Sequence, residues 1–112
     1  MDCIFCKIIA GEIPAKPVYR DDDVIAITDV NRQAPDHLLV MPVKHVRNVG
    51  EVAAQHDDAT MAKVFSRAAH LGRERAPNGY RLVVNSGPDG GQTVDHLHVH
   101  VLSGRHMGWP PG

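Results

Sequence analysis

From His96 to Leu102 the chain alternates imidazole and aliphatic side chains, with His96, His98 and His100 at every second position, Leu97, Val99 and Val101 between them, and Leu102 closing the run. A period of two is the period of an extended strand, whose successive side chains point to opposite faces. The run therefore commits the chain to a sheet with one packed aliphatic face and one face carrying three imidazoles. Imidazole serves as nucleophile, proton carrier or metal ligand near neutral pH. A single metal held by all three is excluded by reach. At a rise of about 3.3 Å per residue the outer two backbones stand ~13 Å apart, whereas the ligands of one zinc lie about 2 Å from it. Any two neighbours remain able to share an ion.

The 112 residues suffice for one domain with a modest core, read here as 1–112 with a short tail over 104–112. Lys+Arg total 12 against Asp+Glu 13, and the net charge of -1 excludes a global basic field for nucleic acid or an anionic membrane. The ligand expected is a small molecule. No apolar run approaches the ~20 residues of a spanning helix, and Met1-Asp2-Cys3 lacks the basic start of a leader, so a cytoplasmic location is expected. In a reducing compartment two cysteines are a poor basis for a disulfide, and Cys3-Ile4-Phe5-Cys6 reads as half of a metal site.

Apolar positions at Ile4, Phe5, Ile8 and Ile9 give a short opening helix over 3–10, stopped by Gly11 and Pro14. Strands are expected at 18–20 and 24–29, joined by Asp21-Asp22-Asp23, and at 37–42, ending on Pro42. Met61, Val64, Phe65, Ala68 and Leu71 share one face of a main helix that Asp57 or Asp58 caps and that ends near Pro77. Asn78-Gly79 turns the chain into a strand at 80–85, and a loop over 86–91 leads to the histidine strand. The order of elements gives an α+β fold, an antiparallel sheet of about five strands with one main helix packed across it and a short N-terminal helix.

Just before the imidazoles, Gly90 and Gly91 let backbone amides approach an anion, and Gln92 and Thr93 add polar side chains. Together they have the makings of a phosphate pocket. Chemistry at phosphorus needs a nucleophile, donors for the nonbridging oxygens and a proton for the leaving group. Imidazole, backbone amides and the Thr93 hydroxyl supply them in that order.

The run His96-Leu97-His98-Val99-His100-Val101-Leu102 resembles the signature of the histidine triad (HIT) family. Further matches are Cys-Ile-Phe-Cys-Lys-Ile-Ile at 3–9, Ile-Pro-Ala-Lys at 13–16, Gln-Ala-Pro at 33–35 and Gly-Gly-Gln-Thr-Val at 90–94. The closing Gly108-Trp109-Pro110-Pro111-Gly112 is similar to the HINT-type branch, nucleotide-binding proteins that hydrolyse purine nucleoside 5'-phosphoramidates. By that resemblance His98 is the nucleophile. It attacks the α-phosphorus and forms a nucleotidyl-imidazole intermediate that water resolves to AMP. His96 belongs to the same catalytic triad, His100 and the amides near Gly91 and Val94 hold phosphate oxygens, Thr93 contacts the leaving amine, His37 completes a proton relay and Asn85 shapes the phosphate pocket. Asn85 as a strand-end residue bonding its own loop is an equally good reading of the sequence.

The resemblance also implies that Asp29 accepts hydrogen bonds from the ribose diol and that Ile4, Phe5, Ile8, Ile27, Val30 and Leu39 line the base pocket. Such a lining gives purine preference with weak discrimination between adenine and guanine. His45 and His96 are implied to join Cys3 and Cys6 in a closed structural zinc site, with no catalytic metal. A homodimer is implied, with each Trp109 tail reaching towards the partner's active site. Three positions depart from the family pattern: Asp95 where an aromatic is usual, Thr93 for the commoner Ser, and His106 where Gln is frequent. Three rival readings stand beside this one: a nucleotide-binding interaction protein with incidental turnover, a dinucleotide hydrolase or nucleotidyl transferase of the same family, and a metallohydrolase using His96 and His98 as ligands.

Overall fold

The first hairpin is set by Asp21, whose Oδ1 accepts from the backbone N–H groups of Asp23 and Val24, both at 2.8 Å. This Asx turn reverses the chain between β1 (Pro17–Arg20) and β2 (Val24–Thr28). The computed structural model describes residues 2–112. It continues into β3 (Asp36–Pro42), β4 (Arg81–Val84) and β5 (Val99–Ser103), with the sheet order β1-β2-β3-β5-β4 and every pairing antiparallel. Three helices join them: α1 (Ile4–Ile9), α2 (Val49–Ala54) and α3 (Asp58–Arg75). The expected α+β fold is the one observed.

Two apolar layers sandwich the sheet. On one face Val24, Ala26, Leu38, Val40, Val99 and Val101 pack against Val64, Ala68 and Leu71 of α3. Burying each of the larger aliphatic side chains stabilises the fold by about 1.5–3 kcal/mol. On the other face Ile25, Ile27, Leu39 and Met41 pack against Cys3 and Phe5. Because β2 and β3 are covered on both sides, they read as unbroken apolar runs instead of alternating ones. Asp57 caps α3 as expected, its Oδ1 accepting from the Thr60 N–H at 3.2 Å.

Two features differ from the sequence reading. The helix α2 was not anticipated, although Asn48 and Glu51 carry a recognisable start signal. Asn48 Oδ1 accepts from the Glu51 N–H at 3.0 Å, and Glu51 Oε1 from the Arg47 N–H at 3.0 Å. The histidine run is also only partly strand. Its ladder begins at Val99, paired with Val40 and Val84, so His100 lies in β5 while His96 and His98 precede it. The β3–β5 ladder stops short of Pro42, which has no N–H to give and whose carbonyl is taken by the His96 ring. The alternation persists nonetheless, with Leu97 buried among Val46 and Val52 and the His96 and His98 rings against Phe5.

Candidate active site and metal centre

His98 is buried on the face of the sheet that α1 covers, its ring 5.1 Å from that of Phe5 and 5.1 Å from that of His100. Its Nδ1 lies 2.7 Å from the backbone carbonyl of His96. A carbonyl only accepts, so Nδ1 carries the proton and Nε2 keeps its lone pair. The geometry thus assigns the nitrogen that the sequence left open.

A second chain of bonds fixes the neighbouring imidazoles in the same way. The Gln33 N–H donates to His37 Nδ1 at 3.0 Å, so His37 donates from Nε2 to His100 Nδ1 at 2.8 Å. His100 in turn donates from Nε2 to Asn85 Oδ1 at 3.1 Å, and Asn85 donates from Nδ2 to the Gly90 carbonyl at 2.7 Å. Every link is satisfied by two neutral rings. Burial, reinforced by the neighbouring His98 and His37, pushes His100 down to about 4. Burial likewise lowers His37, although Asp29 and Asp36 pull the other way. Asp29 Oδ2 stands 3.4 Å from His37 Nε2. The proton on that nitrogen goes to His100 Nδ1, so His37 has no lone pair free for an ion and Asp29, His37 and His100 are not a ligand set.

His98 and His100 open onto a cleft of ≈ 810 Å³ between α1, the segment 13–18 and the loop after β2, while His37 is buried behind them. The size and the mainly apolar lining suit a nucleotide-sized molecule. Ile4, Phe5, Ile8, Ile27, Asp29, Val30, Leu39, Thr93, Val94, His98 and His100 all line it. Val30 is 100% exposed at its rim. Asn85 and Gly91 lie behind the lining: Asn85 reaches the cleft only through His100, and Gly91 holds the loop at φ 80, a conformation that favours glycine. Trp109 is 83% exposed on the tail and does not line the cleft of its own chain.

His96 faces a different neighbourhood. Its Nε2 donates to the Pro42 carbonyl at 2.9 Å, which leaves Nδ1 as an acceptor pointing at Cys3 Sγ (3.5 Å), Cys6 Sγ (3.6 Å) and His45 Nδ1 (3.2 Å). The four donor atoms lie within 4.8 Å of one another. Two sulfurs and two imidazole nitrogens match the preference of zinc, and the carbonyl behind His96 is the usual outer support of a ligating imidazole. Burial and the adjacent Cys3 push the Cys6 thiol up, so a cation is what would hold that sulfur as a thiolate. The donor set therefore fits a structural zinc. With both ring nitrogens of His96 engaged there, neither is left to share an ion with His98.

The sequence reading missed several contributors. The Gln33 N–H and the Pro42 carbonyl set the tautomers of His37 and His96, and being backbone groups they leave no mark on residue type. Lys16, Asn31 and Arg32 line the cleft without a local motif to announce them. Gln92 is corrected from phosphate contact to staple. Its Nε2 donates to the Arg47 and Val94 carbonyls at 2.7 and 3.0 Å, while its Oε1 accepts from the Gly87 N–H at 2.9 Å. No helix among the described residues is long and apolar enough to cross a membrane.

Comparison with known proteins bears on this arrangement. A family model described as HIT domain matches residues 10–107. An uncharacterised HIT-like protein of Synechococcus elongatus is 48% identical over 111 residues, 99% of this chain and 97% of that one. A 14 kDa zinc-binding protein of Zea mays is 42% identical, over 97% of this chain and 87% of its own. The crystal structure of a HIT family hydrolase from Legionella pneumophila superposes with a TM-score of 0.92 at 44% identity, covering 99% of this chain and 100% of that one.

Proposed function

The chain belongs to the HIT family, and from that premise we propose that it hydrolyses purine nucleoside 5'-phosphoramidates to a nucleoside monophosphate and an amine, as the HINT-type branch does, through a covalent intermediate on His98. The observation that carries the reading is the 2.7 Å bond from His98 Nδ1 to the His96 carbonyl, which leaves a lone pair on Nε2 of a ring that lines a nucleotide-sized cleft.

In the proposed reaction Nε2 attacks the α-phosphorus and an N–P bond forms. The P–N bond to the amine breaks, and the amine leaves with the electron pair and a proton from solvent relayed through the Thr93 hydroxyl, which takes a solvent proton as it gives its own. The His96 carbonyl stabilises the positive charge that the His98 ring acquires. Water then adds to phosphorus, the N–P bond returns its pair to Nε2, and the water's proton passes to solvent. His100, neutral at working pH, shares its Nε2 proton between Asn85 and a phosphate oxygen. Amides of the 90–94 loop supply further donors. Asp29 takes the ribose hydroxyls, and the apolar slot around Phe5 and Leu39 takes the base.

Zinc held by Cys3, Cys6, His45 and His96 would supply structure, fastening the opening helix to the sheet. The free thiols suit a reducing, cytoplasmic compartment. The exposed Trp109 and the half-buried edge strand β4 support the homodimer that the family resemblance implies.

The test is hydrolysis of an adenosine 5'-phosphoramidate of an aryl-ethyl amine by the wild type and by His98→Ala, each checked for folding. Turnover in the wild type and its loss by at least about 10³-fold in the variant is the expected result. A wild type near background moves the reading to a nucleotide-binding protein, and a variant that keeps its rate removes the covalent route.

A further inference from the structure

We infer that the Cys3, Cys6, His45 and His96 set is a positioning device for the nucleophile, an ion held there fixing the His98 ring in the orientation that leaves Nε2 free. Two physical links run from the set to His98. One is the chain itself. The segment 96–98 lies outside the β5 ladder, tied by the Leu97 N–H to the Val46 carbonyl at 2.8 Å, so it lacks the restraint that a paired strand enjoys. Besides that bond and the burial of Leu97, what holds it is the His96 ring, bound at Nε2 by the Pro42 carbonyl and aimed at Nδ1 into the sulfurs and His45. A ring that cannot turn keeps its own backbone carbonyl in place. That carbonyl takes the His98 Nδ1 proton at 2.7 Å and so selects the tautomer.

The other link is Phe5. It sits between the two cysteines in sequence, and its ring meets His96 at 5.9 Å and His98 at 5.1 Å, edge to face, with interplanar angles of 82° and 78°. The six-residue α1 is too short to be stable by itself. Cys3 is its cap, accepting from the Cys6 N–H at 3.4 Å, and both cysteines belong to the ligand set. An ion would thus fasten the first turn of α1, and with it the Phe5 ring that packs edge to face against His98. Phe5 and His96 are positioning residues that act on phosphorus only through His98.

The inference rests on the proposed hydrolysis for its kinetic arm alone. Imidazole nitrogens of ¹⁵N-histidine-labelled protein carrying one zinc per chain are compared by NMR with those of chelator-stripped protein, His98→Gln identifying the His98 signals. The expected result is a single Nδ1–H tautomer of His98 with zinc and an averaged mixture without it. Alongside, kcat falls about tenfold with KM nearly constant, and added zinc restores both. Unchanged His98 signals in stripped protein that keeps its amide dispersion overturn the inference. If stripping unfolds the chain, zinc-loaded His45→Ala, which removes one member of the set at a half-buried position, takes its place: mixed His98 tautomers support the proposal, and wild-type signals overturn it. A tautomer that follows the metal in a protein without phosphoramidate turnover refutes the proposed function and leaves the positioning intact.

Discussion

Neutral imidazole is the working state of His37 and His100, and it makes stability depend on pH. The folded protein holds His100 at about 4, while the unfolded chain titrates near the ordinary histidine value of about 6.5. Between those values the unfolded state binds the extra proton, so stability is fully present above the window and is lost as the pH falls through it. His100 alone accounts for roughly 3 kcal/mol at the lower end, and the lowered His37 adds in the same direction. Urea midpoints at pH 7.5 and 4.5 should show that drop, and equal midpoints would falsify the neutral chain. Asp29→Asn tests the proposed ribose contact beside this chain. Loss of a charge-assisted acceptor should raise KM for the ribonucleoside substrate about tenfold and leave that for a 2',3'-dideoxy analogue nearly unchanged. The identity of these side chains was readable from spacing and resemblance. Their tautomers were not, because a carbonyl at 42 or 96 and an amide at 33 become partners only when the chain is folded.

Among the elements, two short connections separate catalysis from stability. A Cβ on Gly90 would lie 2.5 Å from the Ser86 carbonyl oxygen and 3.0 Å from its nitrogen, both backbone atoms that cannot swing aside. Gly90→Ala must therefore open the loop that Asn85 holds by the Gly90 carbonyl. Turnover is expected to fall about tenfold, near 1.4 kcal/mol in the barrier. Asn48→Ala removes the cap of α2 and a long 3.4 Å bond to Gln92 Oε1, which the Gly87 N–H still holds at 2.9 Å, so a stability loss of about 1 kcal/mol with kcat nearly unchanged is expected from melting and kinetics on one preparation. The reverse pattern in the two variants would exchange the roles assigned to these loops. Periodicity made α3 legible from Val64, Ala68 and Leu71, since burial against one sheet face leaves a regular stripe. It left α2 unseen because six residues with one fully buried side chain, Val52, leave no stripe to read.

For the whole molecule, the sheet ends on β4, an edge strand whose residues are all half-buried, and on the 104–112 tail with its exposed Trp109. A strand with unpaired backbone groups and an exposed indole beside it is a surface that pairs readily. Light scattering on a sizing column should return about twice the 12.2 kDa chain mass. One chain mass at micromolar concentration would remove the homodimer, and with it the reach of Trp109 towards a second cleft.

By itself the sequence determined the antiparallel sheet and the placement of aliphatic and imidazole side chains on opposite faces, since these follow from local periodicity, while Asp29, His37 and His45 were marked out by family resemblance. It also carried two of the metal ligands, Cys3 and Cys6, in one turn of chain. Only the tertiary structure decided which partners each histidine takes. Pairing of β3 with β5 brings His37 to His100, while Pro42 ends that ladder and turns His96 towards the cysteines, leaving His98 between them with one nitrogen bound and one free. Three residues of one type at equal spacing are equivalent along the chain. They become different through hydrogen bonds to groups 2, 54 and 63 positions away.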